Sequence, residues 1–394
     1  MKIFLDKRQL PSTKNIVVDS GQFTLTDSLV EGCDLYFSKN NLGSNLNSYL
    51  EIFGEKKFKV IDQKYFNMVE ELGIKNPNWK LFLKESEYAD IRRYFKENLS
   101  SLIESLNSIS YSRYFSEGNY ILNNLSQMCV NKKTIKKFLV HESNPTLKSI
   151  VSSFLPKEEN LCGKIKYNRL KTTTGRLVVE EGPQILLLPK EMRKCIVSRY
   201  GDDGKVVWVD FVSLEPRFTK LLNSESTPVD IYSEIIKESK LECSRKKVKL
   251  AVLSTLFGAG MKKLVDILEE DAFEVRKSIK KYFDLDKVTE KISGFKKGEI
   301  KNFFGRRIKL KNNASNVALN NYIQSSCVDV SLIGFSSLLK DKFFPESAKP
   351  IAVVHDALVI DIKNKDLQSL EEIINKGIMI DGLGKFYLGF EFYE

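Results

Sequence analysis

Short apolar runs broken by polar turns dominate the first 80 residues: Ile16-Val17-Val18, Phe23-Thr24-Leu25, Leu35-Tyr36-Phe37 and Phe58-Lys59-Val60-Ile61 each read as a strand. They predict a small α/β or mostly-β unit over residues 1–80. From about 81 to 165 apolar positions recur at spacings of three and four, in Tyr94 to Leu106 and in Tyr120 to Val130, which is the period of amphipathic helices. Beyond Tyr167 strand and helix patterns mix. The run Val206-Val207-Trp208-Val209 reads as a strand ending at Asp210. Downstream, Ile351 to Val354 and Ala357 to Ile360 flank His355-Asp356 as a β-hairpin with an acid at its tip. Between these two regions Arg245, Lys249, Leu253 and Phe257 fall at successive steps of four and form one stripe on a single helix.

Composition bears on partners more than on fold. The chain has 394 residues, 42% of them hydrophobic, enough for packed cores in two or three domains. A formal net charge of +11 favours polyanionic partners, nucleic acid first among them. The six cysteines are scattered without a Cys-x-x-Cys pair, which argues against zinc sites and disulfide frameworks and fits a reducing compartment. No signal peptide is legible at the N-terminus and no stretch is apolar for eighteen residues, so a soluble, cytoplasmic protein is expected, at a nucleoid or viral replication site.

The chemistry concentrates in the second half. Two carboxylates on neighbouring strands of one sheet can hold two divalent cations about 4 Å apart, the spacing that in-line displacement at phosphorus requires. The stripe places two cations near a helix N-terminus, where the dipole also favours anions, and an apolar and an aromatic side chain further along. A nucleoside triphosphate laid along the helix would match that order. An amphipathic helix with Leu253 and Phe257 in the core has the same spacing.

Taken together, these residues resemble the DNA polymerases of family A, the DNA polymerase I type. Asp210-Phe211-Val212-Ser213-Leu214-Glu215-Pro216-Arg217 is similar to motif A, Arg245 through Phe257-Gly258 to motif B, and His355-Asp356-Ala357 to motif C. Thr172-Thr173-Thr174-Gly175-Arg176-Leu177 resembles the segment upstream of motif A, Gly305-Arg306-Arg307 a turn after the fingers, Asn320 through Gln324 to Asp329 the asparagine and glutamine helix, and Gly389-Phe390-Glu391-Phe392 the C-terminal strand. The resemblance covers about residues 166 to 394. It implies that Asp210 and Asp356, with the backbone carbonyl of Phe211, bind two Mg2+ ions, with Mn2+ as a substitute. It implies that Arg245 and Lys249 hold the triphosphate and that Lys249 assists the leaving pyrophosphate. Leu253 and Phe257 would line the nucleotide site, and Glu215 would exclude a ribose 2′-hydroxyl. Arg176, Asn320 and Gln324 would touch primer and template, and His355 would lie near the primer end. Catalysis would rest on Asp210, Asp356 and Lys249.

Four positions depart from the family pattern. Ala357 replaces the usual glutamate after the motif C aspartate, Leu253 a usual aromatic, Ser213 a usual glutamine, and Asn316 an arginine.

The implied fold is α+β, a right hand with an antiparallel palm sheet and helical fingers and thumb. The boundaries expected are an N-terminal domain at 1–80, thumb at 81–165, palm at 166–230 and 315–394, and fingers at 231–314. The implied function is a compact template-directed DNA polymerase, monomeric, acting on primer-template and dNTPs, of the sort carried by a phage, plasmid or organellar replicon. Asp19 is followed by Ser20 and Gly21 instead of an Asp-x-Glu metal motif, so no proofreading nuclease is expected, and residues 1–80 read as a structural or docking unit for a processivity or replisome partner. A single-subunit RNA polymerase, which would be expected to lack Glu215, and a silent polymerase-like DNA-binding subunit are the alternatives.

Several other residues carry expectations. Tyr200-Gly201-Asp202-Asp203 copies a viral RNA polymerase hairpin, but Asp203-Gly204 reads as a turn joining a strand at Cys195 to Val197 with Val206 to Val209. Asp202 and Asp203 would then face solvent. Asp361 reads as a solvated strand-end acid and Asp329 as structural. Lys132 to Lys137 reads either as a phosphate-gripping tip or as a solvated helix start.

Overall fold

The computed structural model describes residues 1–38, 43–75, 77–240, 242–268, 272–292 and 294–392. Three of the four N-terminal apolar runs form strands. The sheet order is Gln22–Thr26, Asn15–Asp19, Lys2–Leu5, Leu35–Phe37, antiparallel except for the last pair. Helices Leu46–Phe53 and Gln63–Glu71 follow, which makes the unit α/β. The fourth run, Phe58 to Ile61, is not a strand. Phe58, Val60 and Ile61 are buried, but the backbone of Phe58 is satisfied by one side chain: Asn47 Nδ2 donates to its carbonyl at 3.1 Å and its amide donates to Asn47 Oδ1 at 2.7 Å.

The helical stretch begins with Glu85–Ser108, which buries Leu102 and Leu106, and continues with Tyr111–Asn123. The pattern expected to stay helical through Val130 breaks at Asn123. The Ser126 amide instead donates to the Pro350 carbonyl (2.7 Å) and the Val130 amide to that of Asn160 (2.8 Å), so tertiary pairing overrides the local period. Lys132–His141 is a helix capped by Asn131, whose Oδ1 accepts from the Thr134 amide at 3.1 Å, and its four lysines are exposed.

The sheet that matters for the site has four antiparallel strands in the order Lys349–Val354, Ala357–Lys363, Gly204–Phe211, Leu388–Phe392. Val207, Val209, Leu358 and Ile360 are fully buried within it. The 25-residue helix Ser315–Leu339 packs across it, with the Phe335 and Phe211 rings 5.1 Å apart. Gly334 permits this approach, because a Cβ there would lie 2.8 Å from Phe211 Cζ. Among the described residues no helix is long and apolar enough to cross a membrane.

Two expectations need correcting, one about an acid and one about a strand. Asp361 is fully buried. Its strand is paired on both sides, and the carboxylate is satisfied by Ser198 Oγ at 2.6 Å, the Arg199 amide at 3.0 Å and Arg199 Nε at 2.8 Å. The segment from Cys195 to Val197 does not form a hairpin with the central strand. Ile196 bridges Val130 and the Val197 amide donates to Cys129, while Gly201–Asp203 is a short 3-10 turn. Asp202 and Asp203 are exposed at the opposite end of the strand from Asp210, as expected. Asp329 has the structural role expected of it. It lies buried mid-helix, accepting from Tyr111 Oη at 2.7 Å, from Asn302 Nδ2 at 2.7 Å and from Arg169 Nη2.

Candidate active site

Asp210 and Asp356 are brought together by strand register. Ala357 stands opposite Asp210, and the two-residue loop His355-Asp356 places Asp356 just beyond that pair. The Phe211 amide donates to the Asp356 carbonyl at 3.3 Å, tying the loop to the strand end. His355 holds a left-handed backbone (φ 58°), a strained conformation for a non-glycine residue that recurs where a turn must aim a side chain. Asp210 is exposed at the strand end, yet partial desolvation by the surrounding protein, and then the Asp356 charge, raise its carboxyl to about 7. Burial also raises Asp356, against the opposing pull of His355, Lys249 and Arg176.

Among the described residues neither carboxylate forms an ion pair, and no group of three His, Cys, Asp or Glu converges. Two neighbouring carboxylates offer hard oxygen ligands, which suit a divalent cation. Ala357 leaves that donor set short of a third carboxylate.

Motif A turns sharply into its helix, with Ser213 left-handed (φ 55°) just before Leu214–Leu221. Glu215, on the first turn, is half-buried. Burial raises its pKa, the Asp356 charge adds to the effect, and Arg176 and Lys249 oppose it. Arg217 has a role that sequence reasoning missed. Fully buried, it donates to the carbonyls of Val212 (3.2 Å), Pro228 (2.8 Å) and Val229 (2.9 Å) and to Thr227 Oγ1, with its guanidinium 4.5 Å from the centre of the Tyr387 ring. It therefore straps down the loop that leads to Asp230.

The stripe helix spans Arg245–Leu256, with Ser244 as N-cap and Phe257 as C-cap. Val248, Ala251, Val252 and Leu256 face the core; Arg245 and Lys249 are exposed, and Leu253 and Phe257 are half-buried. The predicted stripe is thus the open face of the helix, and the plain-core alternative does not hold. Arg245 is already engaged: Nε and Nη2 reach the two oxygens of Asp230 at 2.8 and 3.1 Å, and the guanidinium lies 5.2 Å from the Tyr232 ring centre. Arg245 holds the Asp230 carboxyl down at about 2. Asp230 and Tyr232 were missed as well. The one local signal was Asp230 as N-cap of Ile231–Ser239, which says nothing about a partner fifteen residues on.

A cleft of about 530 Å³ opens beside the acids and is lined by Arg176, Glu215, Gln324, His355 and Asp356, with Leu177, Leu186 and Leu187 on its apolar wall. Asn320 joins it indirectly, as Gln324 Nε2 donates to Asn320 Oδ1 at 2.6 Å. Asp210, Arg245, Lys249, Leu253 and Phe257 do not line this cleft, although the Lys249 charge acts on Asp210, Glu215 and Asp356. Asn316 turns away from the cleft and donates to the Gly258 carbonyl at 3.3 Å, closing the end of the stripe helix.

No curated protein matches the chain. Among solved structures, the POL domain of Pol1 from M. smegmatis, in complex with DNA primer-template and dNTP, is similar in fold, with a TM-score of 0.61 at 14% identity over 100% of this chain and 94% of that one. The family model for DNA polymerase family A matches residues 90–383. That span holds Asp210, Glu215 and Asp356, the stripe helix and the cleft, and the chain therefore belongs to DNA polymerase family A, as a DNA-directed DNA polymerase.

Proposed function

We propose that this chain adds deoxynucleotides to a primer 3′-hydroxyl under template direction, by two-metal nucleotidyl transfer and without proofreading. The observation that carries the reading is the pairing of Asp210 with Asp356 at one sheet edge, neither neutralised by an ion pair among the described residues. Asp210, Asp356 and the Phe211 carbonyl would hold Mg2+, or Mn2+ in its place. When bound, such ions supply a lowered pKa for the attacking hydroxyl and charge neutralisation on the leaving pyrophosphate.

The chain's own groups do the rest. Arg245 and Lys249 bind the triphosphate, and Lys249, whose charge reaches the acids, stabilises the pyrophosphate as it leaves. Leu253 and Phe257 offer a half-buried apolar surface to the base. Glu215, half-buried in the cleft wall, excludes a 2′-hydroxyl. Arg176, Gln324 and His355 receive the primer end in the cleft, with Asn320 holding Gln324. In this reading residues 81–165 act as thumb, 166–230 and 315–394 as palm, and 231–314 as fingers. The α/β unit at 1–80 is a docking or structural domain, and Asp19, exposed at a strand end, serves no nuclease. The solved relative's complex with primer-template and dNTP supports the same partners for this chain.

Extension of a labelled primer on DNA template with dNTPs and Mg2+ tests the proposal, with ribonucleotides in a parallel lane. Absence of extension in every condition, with duplex binding retained, would rule out catalysis; a preference for ribonucleotides would rule out the substrate assignment.

A further inference from the structure

Arg306 is buried to 1% exposure, yet it is poorly explained by stability. Its Nη2 donates to the carbonyls of Arg169 (3.1 Å) and Thr172 (3.2 Å), while Nε and Nη1 are buried without a hydrogen-bond partner among the described residues. Buried donors left unsatisfied are costly, and an apolar side chain of similar volume would avoid that cost. What the guanidinium touches is the turn Thr172 to Arg176. Gly175 (φ 80°) lies against it so closely that a Cβ there would sit 3.2 Å from Arg306 Cζ. Thr172 closes the same turn from within, its carbonyl accepting from the Gly175 amide at 3.2 Å and its hydroxyl donating to the Arg176 carbonyl at 2.8 Å. Arg176, at the end of the turn, projects into the cleft beside Gln324, His355 and Asp356.

The other side of Arg306 is held as firmly. Its amide donates to Asn302 Oδ1 at 2.9 Å, and Asn302 Nδ2 donates to Ser325 Oγ (3.0 Å) and Asp329 (2.7 Å) on the helix that also carries Asn320 and Gln324. Arg306 therefore links two elements that both line the cleft, its side chain holding the turn and its backbone amide reaching the helix through Asn302.

We propose that Arg306, backed by Asn302 and Asp329, is a positioning residue for Arg176: it fixes the Thr172–Gly175 turn against the Ser315–Leu339 helix so that Arg176 meets the primer end in register with Gln324. This rests on the reading of Arg176 as a duplex contact. Because Arg306 touches neither the acids nor the stripe helix in the hydrogen bonds above, its effect falls on primer-template binding and not on the nucleotide.

The test is a double-mutant cycle on the full chain. Wild type, Arg306→Met, Arg176→Ala and the double variant are compared for primer-template Kd by fluorescence anisotropy, and for KM of dNTP in primer extension. Arg306→Met and Arg176→Ala are each expected to raise Kd about tenfold, within the range for losing one arginine contact. The double variant should be no more than about twofold worse than Arg176→Ala alone, because a residue acting through another gives coupled effects. KM for dNTP should stay within about twofold. Arg306→Lys keeps the charge but not the fork, should give an intermediate Kd, and carries the same cycle if the methionine variant does not fold. Multiplied effects in the double variant, an unchanged Kd for both Arg306 variants, or a KM that rises in step with Kd overturns the proposal. If wild type binds primer-template but extends nothing, the catalytic reading fails and the Kd cycle still decides Arg306. Wild type that does not bind primer-template overturns the positioning role itself.

Discussion

Asp230→Asn is the most discriminating single change for the nucleotide grip. Arg245 is offered to a triphosphate from a fixed position: Nε and Nη2 are occupied by Asp230, and Nη1 has no hydrogen bond among the described residues. Asparagine keeps one acceptor oxygen and can preserve the N-cap bonds to the Tyr232 and Ser233 amides (3.1 and 3.3 Å), but it loses the charge and the two-oxygen fork. The side chains of Arg245 and Asp230 are 53% and 37% exposed, so solvent screens the pair and its contribution to stability is only about 0.2–1 kcal/mol. The larger effect is on order. A released arginine must be immobilised again when the triphosphate binds, at about 0.5–1.5 kcal/mol for such a side chain. That converts to a KM for dNTP higher by roughly 2- to 12-fold. Turnover should change by less than about twofold, as Asp230 does not touch the acids. Single-nucleotide incorporation kinetics read both constants. An unchanged or lowered KM would refute the reasoning, because it would mean that Asp230 competes with the triphosphate for Arg245 instead of orienting it.

Other outcomes follow from the same geometry. Glu215→Ala should admit ribonucleotides, raising their incorporation relative to deoxynucleotides at least tenfold in competition assays; unchanged selectivity removes Glu215 from the sugar gate. Asp361→Ala leaves Arg199 without its buried partner and should cost about 3–5 kcal/mol in urea unfolding, the usual effect of breaking a buried pair; a loss below 1 kcal/mol would mean water replaces the carboxylate. Asp230 titrates at about 2, below the ordinary carboxylate range, so its contribution to stability is present above that range and is lost as pH falls through about 2. The difference in melting temperature between wild type and Asp230→Asn should accordingly be constant near neutrality and close at the acid limit, and a difference that grows on acidification contradicts the assignment.

What could be read from the chain was local. Two apolar runs separated by two residues predict the hairpin that carries Asp356, and steps of four place Arg245 through Phe257 on one helix face, because both are set by the backbone period. Which way that face points depends on Val248, Val252 and Leu256 packing inward, a tertiary fact the spacing leaves open. One acid was misjudged because its partner is remote: Arg199 lies 162 residues from Asp361, so nothing near that acid marks it as buried. Phe58 to Ile61 looks like a strand because it is buried, but its backbone is satisfied by Asn47 and needs no sheet. Asp230 escaped for a related reason: its visible local role as a cap hides a second role across the loop that Arg217 straps in place.

The central claim is that Asp210 and Asp356 together carry metal-dependent nucleotidyl transfer. Primer extension by wild type, Asp210→Ala and Asp356→Ala, with primer-template Kd measured on the same preparations, tests it most directly. The account predicts extension by wild type that is abolished by a chelator, loss of at least about a thousandfold in each variant, and Kd within a few-fold of wild type. Extension by either variant at near wild-type rates would contradict it.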